Sequence, residues 1–327
     1  MAFGKFLTKR AAQGILLMLG VLTLVFFFSR LLPGDATLVY LAPGIPPSIA
    51  DQLRTQLGLD RPIFEQFVRW IASFVQGELG YSTTHNAPVL KVLLLVFPNT
   101  LALGLAAIIL EIAIAVFLAS IASLKPGSFF DNIVVSLTLA IYAIPAFWIG
   151  MLLLVFLSYQ LGVFPSSQMF SFGVSWSDGV GAFPDLAWHL VLPAITIALP
   201  GGAGLARFLR TSIQSTLSSD FVLGARSLGL STKQIFWKYV IPNSIGPMVA
   251  LLGVEIGIVM GGTVLTETLF GWPGFGRLAV TAIFARDYPL ILGCTAFSGA
   301  VVIASNAMAD IIHALIDPRI RFGLKTT

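Results

Sequence analysis

Six long apolar segments, separated by polar stretches, dominate the chain. They run roughly Ala11–Leu32, Asn99–Leu124, Ile133–Leu161, Trp188–Ser212, Ser244–Phe270 and Tyr288–Ile316. Each can cross a bilayer as a helix, which takes about 20 predominantly apolar residues. Pro145 and Pro200 fall inside two segments and predict kinks rather than helix ends, because neighbouring membrane helices can satisfy the freed carbonyls. The pattern predicts an all-α, polytopic membrane protein with six transmembrane helices.

The first apolar segment follows a short basic stretch, so a secretory signal peptide is the alternative to a retained helix. Lys5, Lys9 and Arg10 precede the segment. The apolar core of a signal peptide is usually about 7–15 residues long and ends at small residues before the cleavage site. The segment here is longer, and no such cleavage pattern follows it. We therefore expect a retained membrane helix.

The segment between the first two apolar stretches is long enough to fold outside the membrane. Ser48 can cap a short helix that ends near Gly58, and Pro62 suits the first turn of a second helix. Apolar residues recur at helical spacing in that second helix: Ile63, Phe64, Phe67, Ile71, Phe74 and Val75. Two interpretations of this amphipathic helix remain open. It lies on the outer leaflet, or it packs against the ends of the membrane helices, which we favour.

Composition and charge agree with a membrane protein and suggest its orientation. Hydrophobic residues make up 57% of the 327 residues and charged residues 10%, against about 45–50% and about 25% in soluble domains. Twelve of the 19 Lys and Arg residues fall on the side of the N-terminus, and cytoplasmic loops carry such an excess. We predict a cytoplasmic N-terminus and first helix (1–32), an extracytoplasmic segment (33–98), a five-helix core (99–316) and a cytoplasmic tail (317–327).

Residues for catalysis, nucleotide binding or metal coordination are scarce in the sequence. Cys294 is the only cysteine, and the three histidines are far apart, so an intrachain disulfide is impossible and no metal-ligand spacing is present. The sequence also lacks the GxxxxGK[ST], G-x-S-x-G and H-E-x-x-H motifs. We predict that the chain is not an enzyme, holds no cofactor or metal, has no ATP site of its own and binds no nucleic acid.

The polar stretch 219–242, after the fourth apolar segment, predicts a helix, a tight turn and a second helix on the cytoplasmic face. Ser219 or Asp220 can cap the first helix. Gly229 can end it in a left-handed conformation, and an S-x-x-Q capping box at Ser231 begins the second helix. Such a knob fits a groove on a soluble partner, although a helix–glycine–helix by itself is a common structural turn.

This stretch resembles the EAA loop of bacterial ABC importer permeases, whose pattern is E-A-A-x-x-x-G followed by I-x-L-P. Four residues stand at the family's positions for the second Ala, the Gly, the Leu-like residue and the Pro: Ala225, Gly229, Ile241 and Pro242. Leu223 replaces the family's Glu. The stretch from Gly224 to Leu230 looks like the T-A-R-A-K-G-L variant of the peptide-type branch.

The resemblance extends along nearly the whole chain. Seven stretches, in the right order, are similar to the first permease subunit of dipeptide, oligopeptide and nickel importers. They are LPGD (32–35), LGLD (57–60), GELGYS (77–82), IPAFWIG (144–150), ETLFGWPGFGRL (267–278), ARDYP (285–289) and DPRIR (317–321). Each alone is a weak signal, and together they are specific.

The resemblance implies a type I ABC importer permease fold in the bacterial inner membrane, with the chain forming half of a translocation path. It implies as partners a second homologous permease, two ATP-binding cassette ATPases that bind ATP and Mg, an extracytoplasmic solute-binding protein and membrane lipid. The short loop helix would sit in a cleft of an ATPase, with Gly229 as its hinge. The implied coupling residues are Asp220, Phe221, Leu223, Gly224, Ala225, Arg226, Ser227, Leu228, Gly229 and Pro242.

Acidic residues inside the apolar segments are candidates for the translocation path. A charged group near the bilayer centre costs about 2.5–3.5 kcal/mol, so it should face a cavity or a partner. Glu255 points away from a glycine stripe that begins at Gly253 and suits close helix packing. We predict Glu255 as a path residue, with a structural hydrogen bond between helices as the alternative. Glu111, Pro145 and Pro200 are further candidates.

The outer end of the fifth apolar segment carries a Trp-Pro-Gly turn. Glu267, Trp272, Pro273 and Gly274 are candidates for an outer gate or a docking surface for the binding protein. Trp272 is alternatively an interfacial aromatic residue.

Two other classes of protein compete with the importer permease. An ATP-independent secondary transporter often shows inverted repeats, which we do not find, and an isolated carrier has no evident need for the 219–242 knob. A membrane-embedded enzyme needs a nucleophile and base, or metal ligands, at matched depth. The substrate is not readable from the residues. Peptides are the commonest substrate of this branch, and nickel and oligosaccharides use similar permeases.

Overall fold

The computed structural model describes residues 2–31, 55, 58, 60–260 and 263–316, and they are mostly helical. The α-helices are α1 (Ala2–Leu31), α2 (Ile63–Val75), α3 (Val89–Leu124), α4 (Phe129–Ala143), α5 (Ala146–Leu153), α6 (Ala182–Leu217), α7 (Asp220–Ser227), α8 (Thr232–Ile235), α9 (Ile241–Ser244), α10 (Gly246–Met260), α11 (Val264–Leu269), α12 (Phe275–Phe284) and α13 (Tyr288–Ile316). A 3₁₀-helix, Trp176–Gly181, precedes α6, and π-helices Leu154–Gln160 and Phe236–Val240 follow α5 and α8. Strands β1 (Tyr81–Ser82) and β2 (Ala87–Pro88) form an antiparallel hairpin.

Several described helices are long and apolar enough to cross a membrane. Three qualify singly: Val89–Leu124, Trp176–Leu217 and Tyr288–Ala309. A fourth apolar stretch, Leu251–Leu269, takes in the end of α10, all of α11 and two residues outside the described range. The bent pair of α4 and α5 adds a fifth if it counts as one span. In α1, the apolar stretch Ala12–Phe28 is too short to count as a span by length and apolarity alone. The all-α membrane fold is confirmed, and the number of six crossings stays a prediction.

The third predicted segment is broken rather than kinked at Pro145, so that prediction was wrong. Helix α4 ends at Ala143, Pro145 caps α5, and the two axes differ by 98°. A proline lacks an N–H and disfavours helical geometry at the residue before it. Ile144 accordingly takes an extended conformation (φ −85°, ψ 130°). We call this break the 144–145 corner.

Pro200 does not end its helix, as predicted, because α6 runs through it and through Pro193. The kink expected at Pro200 stays a prediction. Helix α3 likewise contains Pro98. This helix begins at Val89, ten residues before the start expected from apolarity, so the end of the 33–98 segment belongs to it.

Outside the long helices, α2 packs on the end of α1 through aromatic side chains. The ring centroid of Phe67 lies 5.3 Å from that of Phe26, and Trp70 lies 5.5 Å from Phe26. Phe64 and Val68 remain exposed. Packing against a membrane helix, one of the two interpretations of this amphipathic helix, is therefore what the structure shows. The helix expected to begin at Ser48 and the tail 317–327 lie outside the described residues.

Three clusters of buried side chains form the core. One joins α3 and α6 to the α7–α10 region near the predicted cytoplasmic face. A second fills the middle of the α3–α6 contact, and a third lies between α3, α12 and α13. The β-hairpin is fixed to the start of α13 by fully buried Asp287, whose carboxylate accepts hydrogen bonds from Ser82 Oγ (2.6 Å) and the Thr84 N–H (3.0 Å).

Candidate coupling loop and translocation groove

The predicted loop helix is present as α7 and ends in a glycine turn. Gly229 has φ +76°, a left-handed conformation. The Gly229 N–H donates to the Arg226 carbonyl (3.0 Å) and the Leu230 N–H to the Ala225 carbonyl (3.3 Å). These are the paired hydrogen bonds of a Schellman motif, which satisfies the free carbonyls at a helix end and reverses the chain. The capping box predicted at Ser231 is also present. The Gln234 side chain accepts from the Ser231 N–H, and the Ser231 hydroxyl accepts from the Gln234 N–H.

One face of α7 is rooted in the core and the other is exposed. Val222 (1% exposed) and Ala225 (7%) pack in the cluster that includes Leu209 and Ile213 of α6. On the outward side, Leu223 and Leu228 are 66% and 82% exposed. The buried side of this short helix is fixed to α6, and its exposed side presents Leu223 and Leu228. A force applied to the exposed side can therefore be transmitted to the membrane helices beneath it.

The structure divides the predicted coupling residues into two groups. Side chains available to a partner are those of Asp220, Phe221, Leu223, Arg226, Ser227 and Leu228, and Gly224 exposes backbone beside them. Ala225 is not available, because its side chain faces inward. Pro242, the last residue of the 219–242 stretch, lies in α9 and is exposed. The sequence reasoning missed Val222 as the root of the helix.

Glu255 lines a groove of about 880 Å³ between α4, α6 and α10. Arg207, Arg210 and Tyr142 contribute to the same groove. The Tyr142 ring lies over Gly204, where an added Cβ would come within 3.2 Å of it. Glu255 is partly exposed in the groove, and no hydrogen bond of the described residues joins it to another helix. The described structure shows no hydrogen bond between helices for Glu255, and its path role stays a prediction.

Glu111 lies apart from the groove surface, buried between α3 and α6. Its Oε2 atom has no hydrogen-bond partner in the described part of the chain. A Cβ at Gly201 would overlap its carboxyl group, so the Pro200-Gly201 step leaves the space that Glu111 fills. The structure therefore places Glu111 in a helix contact at Gly201, the residue after Pro200. Path roles for Glu111 and Pro200 stay predictions.

An ion pair that the sequence did not reveal fixes α4 to α6. Arg210 donates from Nε and from a terminal nitrogen to the two carboxylate oxygens of Asp131, at 2.6 and 2.7 Å. The buried Asp131 carboxylate also accepts from the Gly127 N–H (2.8 Å). The partners are 79 residues apart, and no local motif marks them.

We expect Asp131→Asn to loosen α4 from α6, because a bidentate, charge-assisted contact is among the stronger hydrogen-bonded pairs. The free energy of unfolding is expected to fall by about 1.5–3 kcal/mol. A cycle of Asp131→Asn, Arg210→Gln and the double variant measures it as the shift in thermal unfolding of the purified chain. Additive effects of the two single changes would contradict a direct interaction.

Glu267 is the centre of a buried network at the predicted outer face. Its carboxylate accepts from Thr100 Oγ1 (2.9 Å) and the Arg277 N–H (3.0 Å). Thr100 Oγ1 in turn accepts from the Phe275 N–H (2.7 Å). Gly274 is required beside it, because a Cβ there would overlap the Glu267 carboxylate.

The prediction that the Glu267 and Trp272 side chains belong to a docking surface was wrong, because both are fully buried. The Trp272 indole N–H donates to the Asn99 carbonyl (2.9 Å), so Trp272 is not an interfacial residue either. Of the four predicted residues only Pro273 is exposed. An outer-gate role for this turn stays a prediction.

Within the described ranges, no group of three or more His, Cys, Asp or Glu side chains is placed to hold a metal ion. The candidate site consists of the exposed face of α7, a charged groove and a buried network at the predicted outer face.

Comparison with protein families identifies the class. Residues 112–322 match the family described as "Binding-protein-dependent transport system inner membrane component". Residues 3–104 match the family described as "Binding-prot-dependent transport system membrane comp, N-term". The protein is thus an integral inner-membrane permease of an ABC importer.

Two relatives resemble the chain over almost its full length. The Di/tripeptide transport system permease protein DppB of Pseudomonas aeruginosa (strain UCBPP-PA14) is 34% identical, over 97% of this chain and 98% of the relative. The Oligopeptide transport system permease protein AppB of Bacillus subtilis (strain 168) is 31% identical, over 97% and 99%. The chain belongs to the binding-protein-dependent transport permease family, in its dipeptide and oligopeptide branch.

The fold has a solved counterpart. An inward-facing structure of the MetNI methionine ABC transporter aligns with a TM-score of 0.52 and 13% identity, over 69% of this chain and 97% of the other. The predicted type I importer permease fold is confirmed. Membership of the family implies ATPase and solute-binding-protein partners.

Proposed function

We propose that the chain forms half of the membrane path of an ABC importer for di- or oligopeptides. The observation that carries this proposal is the full-length similarity to relatives named as di/tripeptide and oligopeptide permeases. In the proposed assembly a second homologous permease forms the other half of the path. Two ATPases dock on the cytoplasmic side, and a solute-binding protein delivers the peptide from outside.

In this assembly the chain hydrolyses no ATP and holds no cofactor, and the ATPases bind ATP and Mg. Both termini lie in the cytoplasm. The excess of Lys and Arg on that side supports this orientation. In this orientation α7 is on the cytoplasmic side, where an ATPase can reach it.

In the proposed assembly, ATP binding to the ATPases moves the helices that line the groove through α7. The exposed Phe221, Leu223 and Leu228 side chains would fill a cleft of the ATPase. The buried root of α7 packs in one cluster with residues of α6 and with Met248 and Leu252 of α10. Helices α6 and α10 also line the groove that contains Glu255. A movement of α7 can therefore be transmitted to the groove through α6 and α10, which contact both.

Cysteine crosslinking tests the docking of α7. We expect Leu223→Cys to crosslink to an ATPase subunit in the purified importer, and Ala225→Cys to crosslink far less because its side chain faces the core. The native Cys294 is buried, so it adds little background. Equal crosslinking from both positions would contradict the proposed docking face.

Transport by the reconstituted importer tests the function itself. Proteoliposomes containing both permeases and both ATPases, with the binding protein outside, should take up labelled dialanine when ATP is present. Replacing the catalytic glutamate of the ATPases should abolish uptake. Uptake that persists without ATP hydrolysis would instead indicate a secondary transporter.

A further inference from the structure

Most polar groups of the groove are already bonded within the chain. Arg210 is paired with Asp131. Ser212 Oγ donates to the Ser244 carbonyl (2.9 Å), and Thr216 Oγ1 to the Ser212 carbonyl (2.9 Å). Thr211 Oγ1 donates to the Arg207 carbonyl (3.1 Å). These groups have little hydrogen-bonding capacity left for a ligand.

Among the charged side chains of the groove, Glu255 and Arg207 are the exceptions. In the part of the chain that the structure describes, neither side chain makes a hydrogen bond or an ion pair, although both line the groove. They carry opposite charges and come from facing helices, yet they do not pair with each other. A charge kept unpaired in a membrane helix costs about 2.5–3.5 kcal/mol, so each requires water or a ligand.

The two charges also lie at a similar depth. Arg207 lies ten residues before the end of α6, and Glu255 nine residues after the start of α10. At about 1.5 Å per residue these offsets are about 15 Å and about 14 Å. Both helix ends are joined to the 219–242 loop region, so both offsets are measured from the same side of the membrane.

We propose that this groove binds a zwitterionic peptide during its passage, with the peptide ammonium at Glu255 and its carboxylate at Arg207. The inference rests on the proposed peptide import and adds the binding site and its polarity. Arginine suits a carboxylate because it can donate two parallel hydrogen bonds. An extended dipeptide spans about 7 Å, and the groove, about 880 Å³, has the size of a small-molecule site, about 300–1,000 Å³.

The remaining walls account for tolerance of different peptide side chains. Val135, Leu251 and Phe208 give apolar surface, and Tyr142 gives an aromatic one. Apart from the Tyr142 hydroxyl, these walls hold no polar group that could select one peptide side chain by hydrogen bonding. Recognition in the groove is therefore directed at the two peptide termini.

Protection of a thiol in the groove tests the proposal. Thr211 is exposed there, so Thr211→Cys in the reconstituted importer should react with a permeant maleimide. Dialanine delivered by the binding protein during ATP turnover should slow this reaction several-fold. The uncharged N-acetylalanine amide at the same concentration should not slow it.

Charge-neutralising variants add a second readout. Glu255→Gln and Arg207→Gln should each lower dialanine uptake per ATP about tenfold and abolish the protection. Matched controls are Glu78→Gln and Arg69→Gln, which remove exposed charges far from the groove and should keep uptake and protection.

The outcomes separate the two proposals. If the Thr211→Cys importer, with Glu255 and Arg207 unchanged, transports dialanine and dialanine gives no protection, the groove proposal falls while peptide import stands. This comparison holds even if a charge variant fails to assemble. If the importer with its binding protein moves no peptide at all, the proposed peptide function falls, and the zwitterion site falls with it.

Discussion

A Gly229→Val variant is expected to insert and assemble but to lose most substrate uptake per ATP hydrolysed. Gly229 ends α7 with φ +76° and forms the Schellman turn beneath the exposed face. A left-handed conformation costs a residue with a Cβ about 1–2 kcal/mol, and a β-branched residue is a stronger outlier. The turn would open, and the exposed face of α7 would lose its fixed direction relative to its buried root.

The measurement is the ratio of dialanine uptake to ATP hydrolysis in proteoliposomes, for which we expect a fall of about tenfold or more. Gly77→Val is a matched control. Gly77 has φ +83° and ends α2 with the same pair of hydrogen bonds, and an added Cβ meets nothing within 4 Å at either position. Both variants therefore suffer similar backbone strain, but only one lies in the coupling loop. Equal uncoupling by the two variants would refute the hinge role of Gly229.

Glu267→Ala is expected to be the most destabilising change at the predicted outer face. It removes the acceptor of the Thr100 hydroxyl and of the Arg277 N–H inside a buried network. A buried donor left without an acceptor costs about 1–3 kcal/mol, and the vacated volume adds to that cost. Glu267→Gln keeps one carbonyl oxygen and should show an intermediate effect.

Thermal unfolding of the detergent-purified chain measures this change. Glu78→Ala is the control because that carboxylate is exposed, and it should leave the midpoint almost unchanged. A midpoint for Glu267→Ala that equals the control would contradict a structural network and would favour a purely mobile gate.

What could be predicted from the sequence follows the range of the interactions involved. The loop helix, the left-handed Gly229 and the capping box at Ser231 were predicted correctly, because caps and glycine turns are set by residues within a few positions of each other. The membrane fold was predictable for a similar reason, since apolarity over about 20 residues is a local property.

The failures are contacts between distant residues. Trp272 was placed at an interface from its position, but Asn99, 173 residues away, binds and buries it. Asp131 and Arg210 gave no signal separately. Pro145 produced a corner, whereas Pro200 left its helix intact, and the sequence around each proline does not distinguish the two outcomes, because tertiary packing decides whether a helix continues.

The 144–145 corner has a consequence for the lipid that surrounds the protein. The ends of two helices meet there, and helix ends leave backbone carbonyls and N–H groups without intrahelical partners. Ala143, Ile144 and Pro145 are exposed in the single chain. Hydrocarbon tails cannot solvate such groups, so irregular backbone at membrane depth borders water or another protein. The annulus of acyl chains must therefore be interrupted at this corner, and Tyr142, one turn away, continues the same lipid-free face into the groove.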